Sequence, residues 1–210
     1  MGPHGNCNTL LPLSLDNGLP KLETLNATPE FTNMLLVSHC DPPRPLRDIR
    51  TLQTNSELLH ESRLQGIDRE CIKSVALSGL SSLSELSILA HLFPNLEYLR
   101  LPPNIVDTGV WDEDIGCRRK PVTAEWAIGL ASFQNLREII GIYFLVDEEE
   151  CLEENHKRIA LLSRLFPLLE LISGPGHHRI VRIKRHNDET ITWHSADYSS
   201  PILYVHDSEY

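Results

Sequence analysis

Along the chain, apolar residues fall in short clusters with a fixed internal rhythm. Residues 92–106, LFPNLEYLRLPPNIV, set Leu96, Leu99 and Leu101 at the first, fourth and sixth places of L-x-x-L-x-L, and Asn104 and Val106 fall where x-x-N-x-L would continue. The cluster Phe166-Pro167-Leu168-Leu169-Glu170-Leu171-Ile172 lines up with Phe93 to Leu99, and Pro20, Leu22, Glu23 and Leu25 occupy the same columns earlier. Weaker copies begin at Leu46, Ile72 and Leu136. With the first column as ruler, the copies start at 22, 46, 72, 96, 136 and 169, at separations of 24, 26, 24, 40 and 33 residues.

The intervals between clusters carry helical signals. Thr28 stands as an N-cap before Pro29 and Glu30, with Phe31, Met34 and Leu35 expected to face inward. Ser56 precedes ELLHESRL, closed by Gly66. Ser82-x-x-Glu85 reads as a capping box, followed by Leu83, Leu86, Leu89, Ala90 and Phe93 at helical spacing. Thr123 caps a fourth helix with Trp126, Leu130 and Phe133 on one face, and a fifth runs from about Glu148 to Phe166, opened by Asp147-x-x-Glu150. Strand clusters alternating with helices at 20–29 residue spacing describe leucine-rich repeats. The longer separations call for insertions, and DTGVWDEDIGCRRKPV, residues 107–122, is one.

The expected fold is therefore α/β: an irregular leucine-rich-repeat solenoid with parallel strands on the concave side and helices on the convex side. After SGPG the rhythm changes. RIVRIKRHNDETITWHS alternates apolar and polar residues around Asn187-Asp188 and predicts a β-hairpin that covers the last repeat. The predicted organisation is an amino-terminal extension (1–18), the repeat domain (19–175), the capping hairpin (176–197) and a tail or extra strand (198–210).

Because side chains alternate along a strand, the residues flanking each middle leucine project from the concave face. One predicted row is Thr24, Asp48, Ser74, Tyr98, Glu138 and Leu171; the next is Asn26, Arg50, Ala76, Arg100, Ile140 and Ser173. Asp48, Arg50, Tyr98, Arg100 and Glu138 are the candidate partner-binding residues. Tyr98 beside Arg100 is the favoured hot spot, since Tyr and Arg are enriched at such positions.

Composition narrows the partners. The 210 residues carry a formal net charge of −10, and the short basic runs are Arg118-Arg119-Lys120 and Lys184-Arg185. Phosphate backbones call for clustered cations, so nucleic acid is not expected. No apolar run is long enough to span a bilayer, and MGPHGNCNTLL lacks the pattern of a signal peptide. The expectation is a soluble protein of the cytoplasm or nucleus, with Cys7, Cys40, Cys71, Cys117 and Cys151 as reduced thiols.

Candidate chemistry is sparse. His177-His178, His186 and His194 cluster near the end without metal-ligand spacing. Cys151 and His156 stand five residues apart on a helix, about 140° around its axis, which separates a nucleophile from its base. His194-Ser195 lacks a nucleophile elbow, and Asp112-Glu113-Asp114 reads as solvated loop acids. No enzyme activity, cofactor or metal is expected.

The cadence L-x-x-L-F-P-N-L-E-x-L-R-L-P, the acidic insert, LFPLLELIS and the charged hairpin together resemble the carboxy-terminal repeat region of fungal F-box proteins, the expanded sets of basidiomycetes above all. The likeness covers roughly residues 19–195. It implies target recognition of the ubiquitin-ligase type, with a protein target on the concave surface. Nothing before Leu22 has the pattern of an F-box, so a Skp-type adaptor is expected as a partner only if a longer product carries one. The alternatives are a structural repeat remnant without a partner, then a Cys/His-dependent hydrolase.

Overall fold

A computed structural model describes residues 19–54, 64, 66–102, 110–112, 117–119, 123–142, 152–174, 180–186, 191–197 and 200–205. The predicted helix after Ser56 lies outside them, as do residues 1–18, the acidic run 147–151 and the turn at Asn187-Asp188.

The apolar columns become strands of one sheet. In chain order these are β1 (Thr24–Leu25), β2 (Asp48–Gln53), β3 (Ser74–Gly79) and β4 (Tyr98–Arg100). The insert then forms its own antiparallel pair, β5 (Val110–Asp112) with β6 (Cys117–Arg119). After it come β7 (Glu138–Ile140), β8 (Leu171–Ser173), β9 (Ile180–Arg185), β10 (Ile191–Asp197) and β11 (Ser200–Val205). The main sheet joins nine described strands in the order β1-β2-β3-β4-β7-β8-β9-β10-β11, parallel as far as β8 and antiparallel from there on. The chain is thus mixed α/β around one open, mostly parallel sheet. The last stretch, open between tail and strand in the sequence, is a strand, β11.

The middle column of each cluster supplies the core. Leu25, Ile49, Val75, Leu99, Ile139 and Ile172 are all buried, as are the first-column residues Leu46, Ile72, Leu96, Leu136 and Leu169. Among the described residues, four helices pack against this face: α1 (Pro29–Val37), α2 (Ser84–Leu92), α3 (Thr123–Leu130) and α4 (Leu152–Leu165). Leu35, Leu36, Leu86, Leu89, Trp126, Leu130, Ile159 and Leu162 join the strand residues in one continuous core. Each such side chain contributes about 1.5–3 kcal/mol by leaving water. None of the described helices is long and apolar enough to cross a membrane.

Register is set at the strand entrances by a repeated hydrogen-bond device. The carbonyl of Glu23 accepts both Arg47 N–H and Asp48 N–H, at 2.8 and 3.2 Å. The carbonyls of Arg47, Lys73, Glu97 and Arg137 each accept the corresponding two amides of the following strand, at 2.8–3.1 Å. A carbonyl oxygen has two lone pairs and can satisfy both. Two asparagines reinforce the spacing: Asn95 Nδ2 donates to Glu70 O at 3.0 Å, and Asn135 Nδ2 donates to Pro94 O at 3.1 Å, one repeat later.

Local expectations meet mixed outcomes. Thr28 caps α1, accepting from Phe31 N–H, with Pro29 in the first turn. Met34 is 47% exposed while Thr32 is buried, because α1 presents Thr32, Leu35 and Leu36 to the sheet. The capping box does not form. The cap of α2 is Leu83, and Glu85 Oε2 accepts instead from Ser81 N–H at 3.0 Å, drawn by the Thr54 hydroxyl 2.6 Å away.

Two arginines close helix ends. Arg44, fully buried, donates from Nη1 to the carbonyls of Leu35, Ser38 and Gly66 at 3.1–3.2 Å. Arg185, on β9, donates to the carbonyls of Ser163, Phe166 and Leu169 at 2.6–3.1 Å, below the end of α4. Carbonyls at a helix C-terminus lack intrahelical partners and carry negative partial charge, so a guanidinium fork serves both needs. Burial lowers the Arg185 pKa from its ordinary value, and nearby Glu170 opposes that shift.

A Cβ at Gly66 would stand 1.8 Å from Ser38 O and 2.7 Å from Arg44 Nη1. Gly66→Ala is therefore expected to destabilise the fold by about 3 kcal/mol, as overpacking against backbone does, read as a lower midpoint in urea unfolding. Arg185→Met, which leaves the carbonyls below α4 without that donor, is expected to cost about 1–2 kcal/mol in the same measurement; an unchanged midpoint would remove its capping role.

Candidate binding surface on the open face of the sheet

The face of the sheet opposite the helices carries the predicted rows. Cα partners run Thr24–Asp48–Ser74–Tyr98–Glu138–Leu171 across six strands, the first row residue for residue. The second row runs Ala76–Arg100–Ile140–Ser173. Side chains of directly paired residues project to the same side of a sheet. Burial follows the alternation at β4, where Tyr98 and Arg100 are exposed around buried Leu99.

Arg50 departs from the ideal pattern. The register of β2 against β3 shifts between Ile49 and Leu52, so β2 holds one more residue than β3 over that span. Thr51 turns inward, where its hydroxyl donates to Ala27 O and lies 3.2 Å from Thr32 Oγ1. Leu52, next along, is buried. Arg50 is left outside and folds back onto its own strand.

Asp48, Arg50, Tyr98, Arg100 and Glu138 all line one open depression of about 350 Å³, with Ser74, Val75, Ala76, Leu99 and Ile140. Asp48 is held on both oxygens: Arg50 Nε donates to Oδ2 at 2.8 Å and Ser74 Oγ donates to Oδ1 at 2.8 Å. That pair is locally neutral. Among the described residues, Tyr98, Arg100 and Glu138 have no side-chain hydrogen bond or ion pair. Tyr98 is 42% exposed at the centre of the row.

Ser173 ends the second row in the core. It is fully buried, with its hydroxyl donating to Gly174 O at 3.2 Å, so it offers no surface to a partner. Below the depression a charged rim follows the strand entrances. Glu97 bridges Lys73 at 3.0 Å and Arg137 at 3.5 Å, and Arg137 reaches Glu170 at 2.8 Å. Exposed pairs of this kind contribute about 0–1 kcal/mol each, so the rim favours the register more than it stabilises the fold. Its signal in the sequence is the residue after each first-column position, which is charged in every copy.

His156 lies against Trp193, whose Nε1–H donates to His156 Nδ1 at 3.0 Å with the rings stacked at 6.3 Å. Cys151 lies outside the described residues, as do His177, His178, Glu113 and Asp114, and the side chains of Asp112, His194 and Ser195 are likewise not described. His186 Nε2 meets Thr192 Oγ1 at 2.9 Å. Among the described residues no group of three or more His, Cys, Asp or Glu is placed to hold a metal ion. Trp126, 5% exposed, packs in the core from α3.

Cys71 closes a short 3₁₀ turn, Arg69–Cys71, and its thiol donates to Asp68 Oδ2 at 3.2 Å. That bond raises the thiol pKa, and burial adds to the effect. The thiolate is the nucleophile, so at a pH near 8 Cys71 is expected to alkylate more slowly than a free peptide thiol. Asp68→Asn should lower the pKa and speed the reaction, as read by mass-spectrometric mapping of iodoacetamide adducts; equal rates in both proteins would contradict this. Comparison with family models, with curated proteins and with solved structures returned no match.

Proposed function

We propose that this chain is a non-enzymatic protein-recognition module that binds a protein target on the open face of its parallel sheet. The observation that carries the reading is the convergence of Asp48, Arg50, Tyr98, Arg100 and Glu138 on one solvent-facing depression. An exposed tyrosine beside an arginine that has no ion-pair partner among the described residues is the composition of an interaction hot spot.

We read the architecture as an irregular leucine-rich-repeat solenoid ended by the β9–β10 pair. Strand order follows chain order through β8 without reversal. Right-handed crossovers in such a sheet would keep every helix on one side, leaving the other side free. Parallel sheets of doubly wound proteins are covered on both faces; here Tyr98 and Arg100 face solvent. On the resemblance of its motifs to fungal F-box proteins, target recruitment of the ubiquitin-ligase type is the role proposed, with a Skp-type adaptor involved if a longer product carries an F-box.

The test is affinity capture from native lysate, comparing the unaltered chain with Tyr98→Ala/Arg100→Ala after circular dichroism shows equal folding. At least one protein should be retained by the first and reduced about tenfold or more with the second, since hot-spot truncations commonly cost about 2 kcal/mol or more. Identical eluates would reject the surface as a recognition site. The Skp-type adaptor is sought in the same eluate.

A further inference from the structure

The chain as a whole is acidic, with a formal net charge of −10, yet its open sheet face, as far as its side chains are described, is not. Among the described side chains on that face the acids are Asp48 and Glu138. Asp48 is already matched by Arg50 and Ser74. Against Glu138 stand Arg100 on β4 and two exposed cations on β9, Arg182 and Lys184. None of these three has a side-chain ion-pair partner among the described residues.

Arg182 belongs to the same row as Tyr98, because Glu138 pairs Leu171 and Leu171 pairs Arg182. Val181 and Ile183 on either side of it are buried in the core, so Arg182 and Lys184 point outward with the row. The entrance rim adds no net charge: Glu23, Glu97 and Glu170 offset Arg47, Lys73 and Arg137. Exposed charges beyond about 8–10 Å are screened at physiological salt, so this local excess of cations, rather than the overall −10, governs what approaches the face.

We infer that the open face takes an extended acidic segment of a protein partner, running across the strands from Arg100 to Arg182. This rests on the recognition reading above and specifies the chemistry of its ligand. The path crosses three strand intervals, about 14 Å at 4.7–4.9 Å each. Arg100 lies two residues along its strand from Tyr98, and that offset lengthens the diagonal to roughly 16 Å. Extended chain rises about 3.3 Å per residue and its side chains alternate, so two carboxylates four residues apart, about 13 Å along one side of the segment, come within side-chain reach of both arginines. Tyr98, beside Arg100 on β4, offers an aromatic surface at that end of the segment, while Ile140 and Leu171 of the two intervening strands lie under its middle. The cations are spread one or two to a strand rather than clustered as a phosphate backbone requires, which favours spaced carboxylates over nucleic acid.

The experiment is selection of a random twelve-residue peptide library displayed on phage against the immobilised full chain. Parallel baits are Tyr98→Ala/Arg100→Ala, Arg182→Glu and Glu138→Gln, each shown by circular dichroism and thermal melting to fold as the unaltered chain does. Enriched peptides should carry two Asp or Glu residues four positions apart and few Lys or Arg. A synthetic representative should bind at least about tenfold more weakly to Arg182→Glu, as reversal of a facing charge demands. It should bind Glu138→Gln more tightly, an effect that loss of a merely structural carboxylate would not give.

Peptides that enrich on the unaltered chain but are neutral or basic, or that bind Arg182→Glu equally well, would overturn the acidic-segment inference and leave the recognition reading standing. Tighter binding of a uridine homopolymer than of any selected peptide would also overturn it, in favour of a polyanion site. Failure of the library to distinguish the unaltered chain from Tyr98→Ala/Arg100→Ala would overturn it together with the recognition reading.

Discussion

Five carbonyls, those of Glu23, Arg47, Lys73, Glu97 and Arg137, each accept two amides from the next strand, and the open face depends on that arrangement. A slip of one residue would send every side chain to the opposite side of the sheet. It would bury Tyr98 and Arg100 and expose Leu99. The forked bonds act together with the apolar columns: the backbone fixes which residue enters the strand, and burial of middle-column residues such as Ile49, Val75 and Ile139 rewards that choice.

The same constraint explains why the candidate site spans so much sequence. Asp48, Ser74, Tyr98 and Glu138 are neighbours only because each interval, whether 24 or 40 residues long, returns the chain to the same register. The longest interval absorbs its extra residues in the β5–β6 pair, outside the main sheet. Length is thus decoupled from register, and the surface tolerates insertion between its contributing strands. Closure of the helix ends is handled separately, by Arg44 under α1 and Arg185 under α4. Gly141, at φ 101° with its would-be Cβ 2.9 Å from Leu101 O, marks where the third apolar column gives way to close backbone contact.

Much of this was legible in the sequence, because period-two burial and a fixed strand entry are local properties. The first row from Thr24 to Leu171 could be written from leucine spacing alone, and so could the outward direction of Tyr98 and Arg100. The helix faces were less legible. Met34 and Leu35 are adjacent apolar residues, and only the position of α1 over β2 decides that Leu35 is covered while Met34 is not. Glu85 likewise had a good local role as a cap, but Thr54, 31 residues earlier, competes for its carboxylate.

The sequence by itself determined the alternation of strand clusters with helices, the register of the parallel strands and the face on which the candidate residues stand, since each follows from side-chain periodicity along a single segment. Tertiary structure decided the rest. It buried Ser173, bulged β2 so that Arg50 turns back to Asp48, seated Arg44 among carbonyls from three places, and set Arg182 of the antiparallel β9 in line with Tyr98. Those outcomes depend on hydrogen-bond partners and strand neighbours far apart in the chain, and periodicity within one segment carries no record of them.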